Sequence, residues 1–287
     1  MTHIVQFSGG KDSTALVLWA KDQGWPFTAV FCDTKHEHPA TYAYIDQINR
    51  TQLDGALVTV CSAKYPGGMG ELVRRKGRVP STRARFCTEE LKVFPFRDWL
   101  RQQTDEAMIY QGIRGDESGP RRAAGARLWS DVYDSWIERP LFDWSADDVF
   151  AIHKRHGVEP NPLYLMGASR VGCFPCIMVN HGELKRMGQT DPLIWERAAN
   201  LERAANRTFF PPHYIPARAC SVVSRHIEKF SDPDAVGGPH VYEREVLTAI
   251  PTVEDVKRYI LSVDENQIRF WDRCDTGGCL SVYNLCE

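Results

Sequence analysis

The apolar positions in the first half of the chain alternate between short continuous runs and stretches with a helical period. Apolar runs bounded by turn-forming residues predict four buried strands, at residues 4–7, 27–32, 56–61 and 107–112. Helical patterns lie between them, at residues 13–23, 39–50 and 88–101. This alternation predicts an α/β fold, a Rossmann-like parallel sheet with helices on both faces and ligands at the carboxyl ends of its strands.

The pattern changes after about residue 165. Asp191 and Pro192 predict the start of a helix that runs to about residue 206, and a capping box predicts a helix from residue 252 to about 262. Residues 209–240 are rich in Pro, Gly and basic side chains and predict a long irregular segment. We therefore expect an α/β domain at residues 1–165 and a smaller, mostly helical and irregular lobe, which contains cysteines, at residues 166–287.

Composition limits the possible partners and the compartment. With 35 Lys and Arg against 37 Asp and Glu, the net charge of −2 gives no global positive field, so any nucleic-acid contact is expected to be local. No apolar run is long enough to span a membrane and no signal peptide is evident, so we expect a cytoplasmic protein without a membrane partner. Nine cysteines in that compartment indicate metal binding or redox chemistry rather than disulfides.

A glycine-rich turn follows the first predicted strand and opens the first helix. The free amides at a helix start, together with the charge of Lys11, are typical of a phosphate site. The turn is not a common P-loop, because Val5 stands where that motif needs glycine and Asp12 follows the lysine. The residues of this loop are Ser8, Gly9, Gly10, Lys11, Asp12 and Ser13.

Charged residues also follow the second and fourth predicted strands. Asp33 fits either an acceptor of hydrogen bonds from ribose or adenine or a simple turn residue. Residues 112–122, GIRGDESGPRR, fit a solvated turn or a triphosphate site. We favour the triphosphate site, with Arg114 and Arg121 on phosphate oxygens. Asp116 or Glu117 would then lie near Mg²⁺.

Two other segments bear on metal and substrate binding. His36 and His38 lack a third ligand at a suitable spacing, so we interpret them as surface and capping residues. Residues 74–85, RRKGRVPSTRAR, contain six Lys or Arg and no acid. They fit a mobile solvated loop or a local patch for a phosphorylated substrate, and the nearby Cys87 favours the patch.

Several segments taken together resemble the phosphoadenosine phosphosulfate (PAPS) reductase family of the PP-loop ATP-pyrophosphatase superfamily, over about residues 3–180. They are FSGGKDST, FCDTKHEHPATYAYI, FCTEELKVFPF, GIRGDESGPR, RPLFDWSADDVFAIH and NPLYLMGASRVGCFPC. Within the family, the chain resembles the phage-encoded and DNA-phosphorothioation branch more than the assimilatory reductases. The resemblance implies an adenine nucleotide alpha hydrolase-like fold, ATP or an adenylyl nucleotide as ligand, and sulfur as the element that is moved.

The resemblance implies that residues 8–13 bind phosphate, and with the chemistry of the other strand ends described above it gives the expected site residues. Lys11, Asp12, Arg114 and Asp116 are expected to act in catalysis. The residues expected to bind ATP and its Mg²⁺ are Ser8, Gly9, Gly10, Lys11, Asp12, Ser13, Asp33, Gly112, Arg114, Glu117 and Arg121.

The cysteines both support and qualify the resemblance. Cys173 and Cys176 form a C-x2-C pair which, with Cys87, resembles the family's site for a 4Fe-4S cluster; structural zinc is the alternative. Cys279 is the favoured fourth ligand, and the other candidates are Cys220, Cys274 and Cys286. Cys32 and Cys61, which end apolar runs, are predicted to be core residues.

The chain departs from the reductases in two places. It lacks the C-terminal Glu-Cys-Gly-[Leu/Ile]-His segment that carries the reactive cysteine of assimilatory reductases. It also has a single thiol, Cys87, where adenylyl-sulfate reductases have adjacent cysteines. Both departures count against a simple sulfonucleotide reductase.

These observations lead to one expected activity and two alternatives. We expect an ATP-pyrophosphatase-type enzyme that adenylates a substrate oxygen, releases pyrophosphate and prepares the substrate for attack by a sulfur nucleophile. By resemblance, the acceptor is a nucleotide or nucleic acid and the sulfur comes from a cysteine desulfurase or another donor. The alternatives are a PAPS or adenylyl-sulfate reductase and a non-catalytic nucleotide-binding zinc module. A homodimer is left open.

Overall fold

The computed structural model describes residues 1–103, 105–232, 240–264 and 268. Its main feature is a six-stranded sheet with the strand order β3-β2-β1-β4-β6-β5. The strands are β1 Thr2–Gln6, β2 Phe27–Cys32, β3 Val58–Val60, β4 Ala107–Tyr110, β5 Arg127–Ser130 and β6 Ser135–Glu138. The chain moves outward from β1 to β2 and β3 and then returns to β4 on the other side of β1, so the strand order reverses beside β1. Ligands of open α/β sheets bind at such a reversal.

The predicted α/β fold with a mainly parallel sheet is confirmed. β1 pairs in parallel with β2 and β4, and β4 pairs in parallel with β6. β5 is antiparallel to β6 and forms the edge of the sheet. The sequence patterns missed β5 and β6 because their sequences, RLWS and SWIE, interrupt the apolar residues with polar and charged ones, whereas β4 is the uncharged run AMIY.

Helices cover both faces of the sheet. They are α1 Lys11–Asp22, α2 Pro39–Gln52, α3 Gly68–Lys76, α4 Phe86–Thr88, α5 Phe94–Leu100, α6 Gly119–Ala123, α7 Ala146–Arg155, α8 His181–Thr190, α9 Leu193–Ala205 and α10 Val253–Ser262. Apolar residues of α1, α2 and α7 pack on one face, and those of α5 pack on the other. Within the described ranges, no helix is both long and apolar enough to cross a membrane.

The helix predicted at residues 88–101 is interrupted. A π-helical turn, Glu89–Val93, lies between α4 and α5. Pro95, near the start of α5, has no backbone N–H to donate to the carbonyl four residues earlier, and this missing bond accounts for the change of helical pattern.

A second hydrophobic core lies beyond the sheet. It joins α3 to α8, α9 and α10, so residues from both halves of the chain share one set of buried apolar contacts. The division at residue 165 stays a prediction. The segment predicted to be irregular contains strand β7, Val222–Asp232, which pairs antiparallel with β8, His240–Ile250. β7 is stabilised by its pairing with β8. All of β8 except its first residue lies beyond residues 209–240, the segment that was predicted to be irregular.

Gly68 positions α3 against the loop that follows β2. Its φ of +65° is left-handed, and an added Cβ would lie 2.1 Å from the backbone oxygen of Thr34. Gly77 ends α3 with a φ of +61° and has no such neighbour within 4 Å. Gly77→Ala is expected to cost roughly 1–2 kcal/mol from backbone conformation alone. Gly68→Ala should cost distinctly more because α3 must also move; urea unfolding measures both, and equal costs would contradict this packing.

Candidate functional site

The loop after β1 depends on two glycines with different roles. Gly9 has a φ of +78°, and a Cβ at this position would lie 2.8 Å from Cγ1 of Ile45 in α2. Gly10 is extended and precedes the first residue of α1. The chain therefore reverses tightly between β1 and α1, and the N-terminus of α1 lies at the carboxyl edge of the sheet.

The hydroxyl groups of Ser13 and Tyr164 form hydrogen bonds with the backbone of this loop. The Ser8 amide donates to Oγ of Ser13 at 3.1 Å, and Oγ of Ser13 donates to the carbonyl of Gly10 at 3.1 Å. The Lys11 amide donates to the hydroxyl of Tyr164 at 3.0 Å. The Lys11 ammonium pairs with Asp12. The loop thus has a defined shape and carries a cation at the start of a helix.

Arg114 ties the loop to the segment after β4. Its guanidinium contacts Oδ1 of Asp12 at 2.8 Å, Oδ2 of Asp116 at 2.7 Å and the carbonyl of Trp144 at 3.2 Å. Only 5% of Arg114 is exposed. Nearby, Arg121 pairs with Glu117 one helical turn earlier. The carboxylates of Asp12 and Asp116 are therefore joined by the buried guanidinium, and the Arg114 amide links this group to the Glu117–Arg121 pair.

Two adjoining clefts lie at this edge of the sheet. The first, of about 490 Å³, is lined by Ser8, Gly10, Lys11, Asp12, Ser13, Gly112, Glu117, Arg121, Tyr164, Ser169, Arg170 and Val171. The second, of about 530 Å³, lies over the ends of β1, β2 and β4 and shares Ser8 with the first. Cys32, Lys92 and Tyr133 are among its lining residues. Predicted site residues from the loop 8–13 and from residues 112–121 thus line the same cleft.

The C-x2-C thiols lie next to the loop that follows β2. Sγ of Cys173 is 3.5 Å from Oγ1 of Thr34, and Cys173 forms a backbone bridge with Glu37. Sγ of Cys176 accepts a hydrogen bond from Arg170 at 3.0 Å. Cys87 and Cys173 each interact electrostatically with Cys176. The three predicted ligands therefore share one neighbourhood.

Desolvation changes the pKa of two of these partly buried thiols. It raises the pKa of Cys87 to about 11 and that of Cys173 to about 12. Burial alone would lower the pKa of Lys92, but the neighbouring Cys173 and Glu37 outweigh it and raise that pKa. The site thus pairs a persistent cation with thiols that are neutral at pH 7.

Comparison with known proteins places these features in a family. The profile of the phosphoadenosine phosphosulfate reductase domain matches residues 2–179. The chain belongs to the PAPS reductase domain family. An uncharacterised 37.8 kDa protein of Escherichia phage 186 is 35% identical over 273 residues, which cover 76% of this chain and 81% of that protein.

Other relatives support the same assignment. The adenosine 5′-phosphosulfate reductase of Allochromatium vinosum is 29% identical over 52% of this chain and 58% of its own length. The crystal structure of the PAPS reductase of Candida auris, a phosphate complex, aligns with a TM-score of 0.50 and 17% identity. It covers 61% of this chain and 83% of its own, and it supports the fold.

Within this family fold, three loop contacts lay outside the sequence predictions. Nδ2 of Asn161 donates to the carbonyl of Gly9 at 3.0 Å, and Nε2 of His153 lies 2.8 Å from the carbonyl of Lys11. Tyr164 is the third. Asn161 and Tyr164 lie in the segment NPLY, which is part of the sequence that resembles the family. That similarity did not indicate what each side chain contacts.

The carboxylate of Asp33 is bound by neighbouring residues of the loop after β2 and of α2. It accepts bonds from the Lys35 amide at 2.8 Å and the Tyr42 hydroxyl at 2.7 Å, and it pairs with the Lys35 ammonium at 2.7 Å. Burial raises its pKa, but these bonds outweigh burial and the net shift is downward. The geometry favours the turn role, and ribose or adenine binding by Asp33 stays a prediction.

The remaining histidine and cysteine predictions have mixed outcomes. His38 does cap α2, since its Nδ1 accepts from the Ala40 amide at 3.0 Å. His36 and His38 are nevertheless buried, so their interpretation as surface residues is wrong. Cys32 is partly buried, but Cys61 is exposed and does not belong to the core, because it lies just beyond the short strand β3.

The structure describes only some of the predicted metal ligands. Among the described residues, no group of three or more His, Cys, Asp or Glu side chains is arranged to hold a metal ion. Cys220 lies near Asp255, and its thiol donates to the carbonyl of Pro216 at 3.7 Å. Cys274, Cys279 and Cys286 lie outside the described residues. The ligand set therefore stays a prediction.

Asn161 is expected to be essential for the shape of the phosphate loop. Asn161→Asp removes the donor to Gly9 and buries a carboxylate, since Asn161 is fully buried. We expect a loss of roughly 1–3 kcal/mol in unfolding free energy and weaker nucleotide binding. Urea unfolding and titration with a fluorescent nucleotide measure these effects.

Asn49→Asp is the matched control. Oδ1 of Asn49 only accepts from the Leu57 amide, at 3.0 Å, and an aspartate keeps that acceptor. Similar losses in both variants would show that the Asn161 donor has no special role.

Proposed function

We propose that the chain binds ATP in the loop 8–13 and adenylates an acceptor in preparation for sulfur transfer. One observation carries this proposal: residues 161–176 connect the two parts of the site. Asn161 and Tyr164 contact the phosphate loop, and Cys173 and Cys176 lie at the other end of the same segment. A nucleotide in the first cleft would therefore lie beside buried thiols.

The first proposed step is attack of an acceptor oxygen on the α-phosphorus of ATP. A new oxygen–phosphorus bond forms, the bond from the α-phosphorus to its bridging oxygen breaks, and pyrophosphate leaves with the electron pair. Lys11 and the amides at the start of α1 would stabilise the charge on pyrophosphate. Asp12 would position Lys11 and Arg114, which it contacts.

The charges of the cleft are consistent with a requirement for Mg²⁺. Three cations, Lys11, Arg114 and Arg121, are paired with carboxylates of the same network. A triphosphate would add about four negative charges to this balanced set. Mg²⁺ would offset part of that charge, and Asp116 or Glu117 supplies the oxygen ligand it prefers.

The second proposed step is displacement of AMP by a sulfur nucleophile at the oxidation level of sulfide. The new bond joins sulfur to the activated atom, and AMP leaves with the electrons of the broken bond, so no net oxidation occurs. By family resemblance, the acceptor is a nucleotide or nucleic acid and a cysteine desulfurase is a candidate donor. Because a desulfurase delivers its sulfur as a persulfide, a thiol reductant must supply the two electrons that release this sulfur as sulfide before it attacks. The similarity to a phage protein is consistent with the phage-encoded part of this branch.

The choice of a cluster with several irons over zinc rests on the family resemblance, because sulfur donors suit either metal site. All three candidate donors are sulfurs, and the neighbouring Lys92 would offset the charge of thiolates. Ligands of a single zinc ion converge on one point, whereas cluster thiolates each bind a different iron. Cys87, Cys173 and Cys176 would hold such a cluster, which supplies a source or a binding site for sulfide when bound.

Reduction of an adenylyl sulfate is the second candidate. It is favoured by the relatives that carry the name adenosine 5′-phosphosulfate reductase, in Allochromatium vinosum and Deinococcus radiodurans. In that reaction a thiolate attacks the sulfate sulfur and ATP is not cleaved. The partly buried thiols Cys87 and Cys173 are poorly suited to this attack, because desolvation holds their pKa values well above 7. A reductase would therefore need another cysteine as its nucleophile.

The first test measures pyrophosphate release from ATP in the presence of candidate nucleotide and nucleic-acid acceptors. Lys11→Ala should lower the rate by a factor of about 100 or more, because the variant loses the charge facing the leaving group. Lys21→Ala, in the last turn of the same helix, should retain the wild-type rate, since Lys21 contacts Gln52 at the surface.

Two outcomes would count against adenylation. One is sulfite release from adenylyl sulfate without pyrophosphate release from ATP, which would favour the reductase. The other is equal pyrophosphate release by Lys11→Ala and the wild type. Absence of turnover with any nucleotide, together with stoichiometric zinc, would support the non-catalytic module.

The second test measures the metal content of protein purified without oxygen. Wild-type protein should contain about four irons per chain and absorb visible light as an iron-sulfur protein. Cys87→Ser, Cys173→Ser and Cys176→Ser should each lose most of the iron. Cys61→Ser should retain it, because Cys61 is exposed and belongs to another loop. Zinc in place of iron, or iron retained in all variants, would contradict this ligand set.

A further inference from the structure

A group of cations outside the nucleotide cleft forms one surface around two aromatic rings. Lys64 and Arg75 lie over the ring of Tyr65, at 5.2 and 5.6 Å from its centre. Lys76 and Arg78 lie over the ring of Phe86, at 5.8 and 5.4 Å. This surface, Arg74 beside it in α3 and Arg83 in the short segment that leads to Phe86 are called the basic patch below.

The backbone explains why residues of two segments meet here. Arg74, Arg75 and Lys76 form the last turn of α3, and Gly77 then turns the chain in the left-handed conformation. The turn brings Arg78 back to Phe86, at the start of α4. Cations at the end of a helix are favoured by its dipole, which supports their accumulation at this place.

The basic patch is not neutralised by its own carboxylates. Glu71 pairs with Arg75 at 2.6 Å, and Glu90 contacts both Lys64 and Lys76 at 3.1 Å. Arg74, Arg78 and Arg83 are exposed and form no ion pair with any carboxylate in the described parts of the chain. This local positive excess stands in a chain whose net charge is −2, and it would attract a polyanion.

The basic patch lies beside the thiols. Phe86, which carries two of its cations, directly precedes Cys87. Glu90, which links Lys64 to Lys76, lies in the π-helical turn that also contains Lys92. A polyanion held here would therefore approach Cys87 from the surface.

The composition of the patch indicates contacts to phosphates rather than to bases. Its cations are distributed around two rings and a loop, and they offer more donors than one phosphate can use. Tyr65 is only 5% exposed, so its ring has little surface for stacking on a base. These features are typical of recognition of a phosphodiester backbone independent of sequence.

We propose that the basic patch binds the phosphodiester backbone of a nucleic acid and holds it beside Cys87. The role of this nucleic acid as the sulfur acceptor rests on the proposed function. Binding itself does not, because it requires neither ATP cleavage nor a sulfur donor.

The test is fluorescence anisotropy of the full chain with labelled single-stranded DNA, single-stranded RNA and duplex DNA, each of about 20 nucleotides. All three should bind, and affinity should fall steeply between about 50 and 200 mM salt. The variant with Arg74→Gln, Arg78→Gln and Arg83→Gln should bind single strands at least about tenfold more weakly. Its salt slope should be smaller by about 2, because about 0.7 ion is released per phosphate contact.

The control variant carries Lys21→Gln, Arg50→Gln and Arg101→Gln, an equal loss of charge. These residues lie at the ends of α1, α2 and α5 and are exposed. Urea unfolding of both variants should match the wild type. The patch proposal would be overturned if the two variants bind equally, if affinity is insensitive to salt, or if none of the three probes binds.

A separate readout distinguishes failure of this proposal from failure of the proposed function. Mass spectrometry of nucleosides from cells that express the protein would detect thionated products. Binding that depends on the patch, without thionated products in DNA or RNA and without pyrophosphate release, supports the patch and counts against adenylation. Thionated products with a patch variant that binds like the control support sulfur transfer and overturn the patch.

Discussion

The buried guanidinium of Arg114 is the interaction on which the rest of the site depends. Arginine keeps its charge in proteins, so a nearly buried Arg114 must be surrounded by acceptors. Asp12, Asp116 and the carbonyl of Trp144 meet this need. Since Asp12 is the second residue of α1, the same contacts fix the start of the helix and with it the phosphate loop. The electrostatics of one buried group thus determine the shape of the loop that is predicted to bind phosphate.

Much of the fold could be predicted from the sequence because the central strands are apolar on both sides. The apolar run at residues 27–32 coincides with β2. The two glycines of the turn before α1 are typical of a tight turn between a strand and a helix. β5 and β6 contain no continuous apolar run, and β7 depends on pairing with the distant β8. These elements are determined by tertiary contacts, which a local pattern does not contain.

The residues of the site could be predicted from the sequence only where the residue type itself indicates a function. Charged residues at the ends of strands, such as Lys11 and Arg114, were expected in one site, and Asp12 does link them; their contact with phosphate stays a prediction. Asn161 and His153 act by contacting backbone carbonyls of the loop, and an asparagine or histidine used in this way looks like any other in the sequence. The position of Asp33 was predicted, but the Lys35 and Tyr42 bonds that occupy it were not.

The thiols show how burial separates two kinds of cysteine chemistry. A cysteine that attacks as a nucleophile needs a thiolate at pH 7, and partial exposure with nearby cations normally provides one. Here burial raises the pKa values of Cys87 and Cys173 more strongly than Lys92 lowers them. Metal binding removes this barrier, because a bound metal displaces the thiol proton and supplies the positive charge that the surroundings lack. Burial beside one cation is thus better suited to thiolates stabilised by a metal than to a free nucleophile.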